Sequence, residues 1–132
     1  MSSTGSTTDD DVRVLFVEDD PAVAHMYKLK LELDGYAVDL AVDGVQAVEM
    51  AMGNPPDIIF LDIRLPKMDG LGVLEALRKD ERTRTVPVVI LSNYSEHELV
   101  DRGLRLGALE YLVKSQTTPA RVADGVANWI GN

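Results

Sequence analysis

Three short stretches of this chain carry apolar residues at odd and even positions alike, and nothing else constrains its folding as strongly. Val14 to Val17, Ile58 to Leu61 and Val88 to Leu91 contain no polar residue. A strand of that composition must be covered on both faces, which an antiparallel sheet facing water on one side does not provide. Longer amphipathic stretches alternate with the apolar runs, and five such repeats can be counted. The pattern is that of a parallel sheet with helices on both faces.

The first strand is read over about Arg13 to Val17. Asp20 then caps a helix whose first turn holds Pro21, a residue with no amide to leave unpaired. That helix runs to about Asp34, with Gly35 as terminator, and the spacing of Ala22, Met26, Leu29 and Leu33 predicts its core face. Val23, Tyr27 and Leu31 form a second stripe. A weak strand, about Ala37 to Ala41, precedes a capping box of Asp43 and Gln46 and a helix through about Met52, closed by Asn54, Pro55 and Pro56. The third strand is about Asp57 to Leu61, followed by a Pro- and Gly-bearing loop from Asp62 to Gly70 and a helix over about Leu71 to Asp80.

Pro87 to Leu91 is the fourth strand. Ser95 and Glu98 read as a second capping box, opening a helix to about Leu106 in which Gly103 costs roughly 1 kcal/mol relative to Ala, so this helix is expected to be soft. Its predicted core face is Leu99, Gly103 and Leu106. The fifth strand, about Glu110 to Val113, ends at Lys114, and Thr118 with Pro119 opens a last helix that places Val122, Val126 and Trp129 on one face.

At 132 residues the chain fits one domain. Residues Met1 to Asp11 are almost wholly polar and are expected to form a loose tail, with the domain spanning residues 12–132. Apolar residues make up 45% and charged residues 27%, ordinary for a soluble globular protein, and no apolar stretch approaches the ~20 residues that span a bilayer. With no secretory pattern and no cysteine, the cytoplasm is the simplest home. The net charge of -9 argues against direct contact with nucleic acid, whose backbone is bound largely through Lys and Arg.

In an open parallel sheet, ligands bind beyond the carboxyl ends of the strands. Those ends carry Glu18, Asp19 and Asp20 after the first strand and Asp62 after the third. Ser92 and Asn93 follow the fourth, and Lys114 follows the fifth. Carboxylates gathered at one sheet edge repel each other unless a hard divalent cation such as Mg2+ sits among them. Taken singly, each residue has a plainer reading. Asp20 and Asp69 are caps or turn residues, Lys114 a solvated strand end, Ser92 a loop hydroxyl bonding backbone and Tyr111 a half-buried strand aromatic. His25 and His97 have no ligand-spaced neighbours and read as surface helix residues.

The ordered set, with Pro66, Asp69 and Gly70 in the loop after Asp62 and with Gly107 and Ala108 ahead of Tyr111 to Lys114, resembles a two-component response-regulator receiver domain over about Val12 to Ile130. The resemblance implies a flavodoxin-like, doubly wound (βα)5 fold with strand order 2-1-3-4-5. It makes Asp62 the phosphoacceptor, Ser92 and Lys114 the hydroxyl and cation that receive the phosphoryl group, and Ser92 with Tyr111 the switch pair. The implied Mg2+ ligands are Glu18 (largely through water), Asp19, Asp62 and the Arg64 carbonyl.

The implied donor is a histidine kinase or histidine phosphotransfer protein, docking on the stripe of Val23, Tyr27 and Leu31. The implied output is a downstream protein or a homodimer through the fourth helix, fifth strand and fifth helix, where Val100 and Leu104 are a candidate contact patch. Such a chain is a phosphoacceptor that assists its own phosphorylation and dephosphorylation, not an enzyme acting on a separate substrate.

Three departures from the family pattern stand out. Ser115 replaces the usual Pro after the lysine, which removes the reason to expect a cis peptide there. Asn93 is bulkier than usual, and Arg64 and Tyr94 flank the site where they can screen or position water. Rival classes are a flavin carrier, a metal-dependent aspartyl phosphatase and a receiver-like interaction module that works without phosphate. The flavin carrier needs a phosphate loop after the first strand, where this chain has acids. The phosphatase needs a second Asp where Arg64 stands.

Overall fold

The computed structural model describes residues 11–131; the expected loose tail falls on Met1 to Asp11, so all of it but Asp11 lies outside them. Five strands form one parallel sheet: β1 (Arg13–Val17), β2 (Ala37–Ala41), β3 (Ile58–Leu61), β4 (Val88–Ser92) and β5 (Glu110–Val113), in the order β2-β1-β3-β4-β5. The helices between and after them are α1 (Pro21–Leu33), α2 (Gly44–Gly53), α3 (Gly70–Lys79), α4 (His97–Arg105) and α5 (Pro119–Gly131), with a single 3-10 turn at Lys114–Gln116. This is the predicted fold and strand order.

The sheet buries two cores because its central strands are apolar on both sides. Val14, Phe16, Ile58 and Phe60 pack with Tyr27 and Leu31 of α1 and Val122 and Val126 of α5. Leu15, Val17, Ile59 and Leu61 pack on the other face with Ala47 of α2 and Leu74 and Leu77 of α3. All four residues of β3 are fully buried. At about 25 cal/mol per Å2 of apolar area, these side chains are the main favourable contribution to folding.

The face of α1 corrects the sequence reading. Met26, Leu29 and Leu33 are 49%, 57% and 74% exposed, and Ala22 is exposed too. The buried residues are Ala24, Tyr27 and Leu31, so the second stripe is the core face and cannot serve whole as a docking surface. Both stripes are apolar, and periodicity alone does not choose between them. The choice is made by aromatic packing: Tyr27 stacks on Phe16 with ring centroids 5.0 Å apart, and Phe16 lies 5.8 Å from Phe60.

The caps follow the sequence in three helices and depart from it in one. Asp20 Oδ1 accepts from the Ala22 and Val23 amides, Asp43 Oδ1 from Gln46 and Asp69 Oδ1 from Gly72. The Gln46 side chain reaches back to the Val42 amide at 2.7 Å. Gly35, at φ +97, ends α1. The second capping box does not form. Helix α4 starts at His97 with Glu96 at its N-cap and no side-chain cap, while the Tyr94 backbone just before it is bonded to Ser92 and Tyr111. Gly103 is buried on α4, where a Cβ would stand 2.6 Å from Ile90 Cδ1; its small size lets the helix approach the sheet.

Leu99 and Leu106 pack against the core as predicted, and Trp129 meets Phe60 edge-on at 5.7 Å. Of the candidate patch, Leu104 is exposed and Val100 half-buried. His25 and His97 are exposed. No helix among the described residues is long and apolar enough to cross a membrane.

Candidate functional site

The strand order reverses between β1 and β3, so the loops leaving them turn to opposite sides and open a crevice between their carboxyl ends. Register places the acids at its floor. Val17 pairs with Leu61, so Glu18 and Asp62, the next residues on the neighbouring strands, emerge level with each other. The Glu18 amide bonds the Ala41 carbonyl and the Asp62 amide the Val17 carbonyl, fixing both backbones. Glu18 and Asp62 are 2% and 6% exposed, while Asp19 is exposed at the rim.

Carboxylate oxygens of Glu18, Asp19 and Asp62 lie within 4.8 Å of one another. Lys114, following β5, reaches across the mouth: its ammonium donates to Glu18 Oε1 and, at 2.9 Å, to Asp62 Oδ2. Asp62 Oδ1 accepts from the Ile63 amide at 2.7 Å, and Glu18 Oε2 from the Asp20 amide at 3.1 Å. Burial raises the Glu18 pKa above the ordinary carboxylate value, against the lowering effect of Lys114 and the Asp20 amide. Burial also works against the Lys114 ammonium, but its bonds to Glu18 and Asp62 outweigh it and hold the lysine above its usual pKa.

Ser92 is fully buried at the end of β4, and its Oγ accepts from the Tyr94 amide at 3.1 Å. The Tyr111 hydroxyl donates to the Tyr94 carbonyl. Burial pushes the Tyr111 phenol up. Arg64 stacks on Tyr94, with Cζ 4.3 Å from the ring centroid. The crevice, about 320 Å3, is completed by Asp20, Val23 and Asn93. No peptide bond among the described residues is cis, so the Lys114–Ser115 bond is trans.

The structure thus brings together Glu18, Asp19, Asp62, Arg64 and Lys114, with Ser92 and Tyr111 linked to them through Tyr94. Sequence reading did not show that the Ile63 amide holds Asp62, nor that Lys114 pairs with Glu18 as well. A larger hollow of about 520 Å3 lies at the amino ends of the strands. Two of its charged groups are taken up by the fold: Asp57 accepts from the Arg13 amide, and Arg78 donates to the carbonyls of Arg84, Val86 and Gly107.

The sequence model of the response regulator receiver domain matches residues 14–124. The chain belongs to this family. Receiver-domain relatives include the DNA-binding dual master transcriptional regulator RpaA of Synechocystis, 41% identical over 102 residues, which are 77% of this chain and 42% of that protein. The transcriptional regulatory protein PrrA of Mycobacterium tuberculosis is 44% identical over 102 residues, 77% of this chain and 43% of its own.

The receiver chain therefore spans less than half the length of these relatives. Among solved structures, the receiver domain of a sensor histidine kinase from Pseudomonas aeruginosa is 32% identical with a TM-score of 0.84, covering 92% of this chain and 99% of that one. It holds a magnesium ion in its active-site cleft.

Proposed function

We propose that this receiver domain takes a phosphoryl group onto Asp62 from a histidine kinase or histidine phosphotransfer protein, with Mg2+, and uses it to reset a partner-binding surface. One observation carries the reading: three carboxylates from two neighbouring strand ends converge with the Lys114 ammonium on the Asp62 oxygens. An all-oxygen, acidic donor set of this kind fits a hard divalent cation. Glu18, Asp19, Asp62 and the Arg64 carbonyl would hold it, and it supplies positive charge to the oxygens of the transferring phosphoryl group.

The protein's own groups do the rest. A carboxylate is a weak nucleophile toward an anionic phosphoryl group unless cations offset the charge, and Lys114 is placed to do so from the Asp62 side. The Ile63 amide orients the attacking carboxylate. As an Asp62 oxygen bonds to phosphorus, the phosphorus–nitrogen bond of the donor breaks and the imidazole leaves with the electron pair. Ser92, buried at the end of β4, and Lys114 then close on the new phosphate oxygens, and Tyr111 follows through Tyr94. The charge and acceptor oxygens of the acyl phosphate bias an existing two-state balance.

The output surface in this reading is α4, β5 and α5, presented to a downstream protein or a second copy, with Leu104 as its exposed apolar contact. The donor docks along the exposed stripe of Met26, Leu29 and Leu33, because α1 springs from Asp20 at the crevice rim. The acidic chain makes no direct nucleic-acid contact and works in the cytoplasm. The test is incubation with Mg2+ and acetyl phosphate followed by intact mass. A gain of one phosphoryl group that vanishes in Asp62→Asn supports the reading, and no gain removes it in favour of an interaction module that works without phosphate.

A further inference from the structure

Met68 wedges the loop between β3 and α3 against the starts of two helices. At Gly44, the first residue of α2, a Cβ would collide with the Met68 carbonyl oxygen and stand 2.7 Å from the Met68 Cβ. At Gly72, in the first turn of α3, it would stand 3.1 Å from the Met68 Cγ and 3.9 Å from the sulfur. Two glycines thus make room for one methionine. The Pro66 carbonyl accepts from the Met68 amide at 2.7 Å and from the Gly44 amide at 3.2 Å, which ties the same loop to α2. Between Pro66 and Met68, Lys67 is held at φ +70, a left-handed conformation that a residue with a side chain keeps only where its surroundings impose it.

The same loop leads back to the candidate cation site. The Gly70 amide donates to the Ile63 carbonyl at 2.7 Å, and the Ile63 amide donates to Asp62 Oδ1 at 2.7 Å. A shift of Met68 therefore reaches Asp62 through Gly70 and Ile63. The Met68 side chain packs against the core yet is only half-buried, so a small oxidant has a path to it.

We propose that Met68 is a site of reversible oxidation, through which a peroxide weakens Mg2+ binding at Glu18, Asp19 and Asp62. The proposal rests on the cation site of the reading above. A sulfur lone pair attacks one oxygen of hydrogen peroxide, the oxygen–oxygen bond breaks, and the departing hydroxide takes the proton of the transferred oxygen and leaves as water. Sulfur gives up two electrons to the peroxide, and Met68 becomes the sulfoxide. The new oxygen is polar and enlarges a side chain seated against Gly72 and the apolar core, so the wedge no longer fits. The loop relaxes at Lys67, and the Ile63 amide and Arg64 carbonyl move with it. A sulfoxide reductase resets the site: two thiols supply the electrons, close to a disulfide, and the oxygen leaves as water. Met68 is a positioning residue in this scheme.

In the test, the protein is treated with hydrogen peroxide and peptide mapping measures the oxygen gained at each methionine. Titration with MgCl2 and melting of the metal-free protein follow. Met68 gains one oxygen, the Mg2+ dissociation constant rises about tenfold, the lower end for residues that support metal ligands, and the melting temperature falls. Sulfoxide reductase with a thiol restores both. Met68→Leu keeps the volume, binds Mg2+ like the untreated parent and does not respond to peroxide. Met26→Leu removes a methionine that is 49% exposed on α1 and stays as sensitive as the parent. Met68→Gln, polar without any oxidant, reproduces the weakened binding. Met68 left unmodified while Met26 is oxidised, equal loss in treated Met68→Leu, or Met68→Gln binding like the parent would each overturn the proposal. An untreated parent indifferent to Mg2+ overturns both readings, whereas Mg2+ affinity that survives full conversion of Met68 overturns this one alone.

Discussion

Lys114 Nζ stands 2.9 Å from Asp62 Oδ2 although 52 residues separate them in sequence, and the same ammonium bonds Glu18. The pairing lets two buried carboxylates share one end of the sheet. Removing one partner of a buried ion pair leaves the other charge uncompensated. Lys114→Ala is therefore expected to lower the unfolding free energy by about 2–4 kcal/mol in metal-free buffer, measured by urea denaturation. Added Mg2+ should recover part of that loss. An unchanged midpoint would show that the acids do not depend on the lysine.

Glu18 gives the domain a pH dependence of definite sign. Its ordinary value is 4.5, and burial sets the folded value higher. As pH rises, the unfolded chain releases this proton first. Its contribution to stability is therefore fully present below 4.5 and is lost as pH climbs through the raised folded value. In metal-free protein the melting temperature of Glu18→Gln, relative to the parent, should rise across that window. Parallel curves would contradict the assignment.

The reassigned faces of α1 predict two contrasting sets of variants. Leu31→Ala and Tyr27→Ala remove buried side chains and should cost about 2–5 kcal/mol each. Met26→Ser and Leu29→Ser change exposed positions and should stay within about 0.5 kcal/mol of the parent. The serine variants should nevertheless slow transfer from a phosphohistidine protein while leaving uptake from acetyl phosphate unaffected. Equal rates from the protein donor would place docking elsewhere.

Gly70 abuts the site from the α3 side. A Cβ there would collide with the Asp62 carbonyl oxygen and come within 2.8 Å of Ile63 Cα, and both atoms belong to backbone that cannot rotate away. Gly70→Ala is expected to cost about 1–3 kcal/mol and to weaken Mg2+ binding, since the loop carrying Ile63 and Arg64 must move. Calorimetric melting with and without Mg2+ separates the two effects.

The strands were legible because residues such as Ile58 to Leu61 are apolar on both faces, and the carboxyl-end acids because each directly follows such a run. Helix α1 was misread for the opposite reason. Its two stripes are equally apolar, and only the stack of Tyr27 on Phe16 decides which one turns inward. The start of α4 was misplaced because Ser95 and Glu98 have capping-box spacing, while the local backbone answers to Ser92 and Tyr111. Sequence marked Arg64 and Tyr94 as flanking the site. It could not show that they stack, since they are 30 positions apart on the loops that follow two different strands.

The central claim is that the ends of two neighbouring strands fold into one divalent-cation site against the Asp62 carboxylate. Titration of the isotopically labelled protein with MgCl2, followed by backbone amide NMR, tests it most directly. The account predicts saturable shifts concentrated at residues 18–20 and 62–65, strongly weakened in Asp19→Asn and Asp62→Asn. Shifts that are absent, unsaturable or indifferent to those substitutions would contradict it.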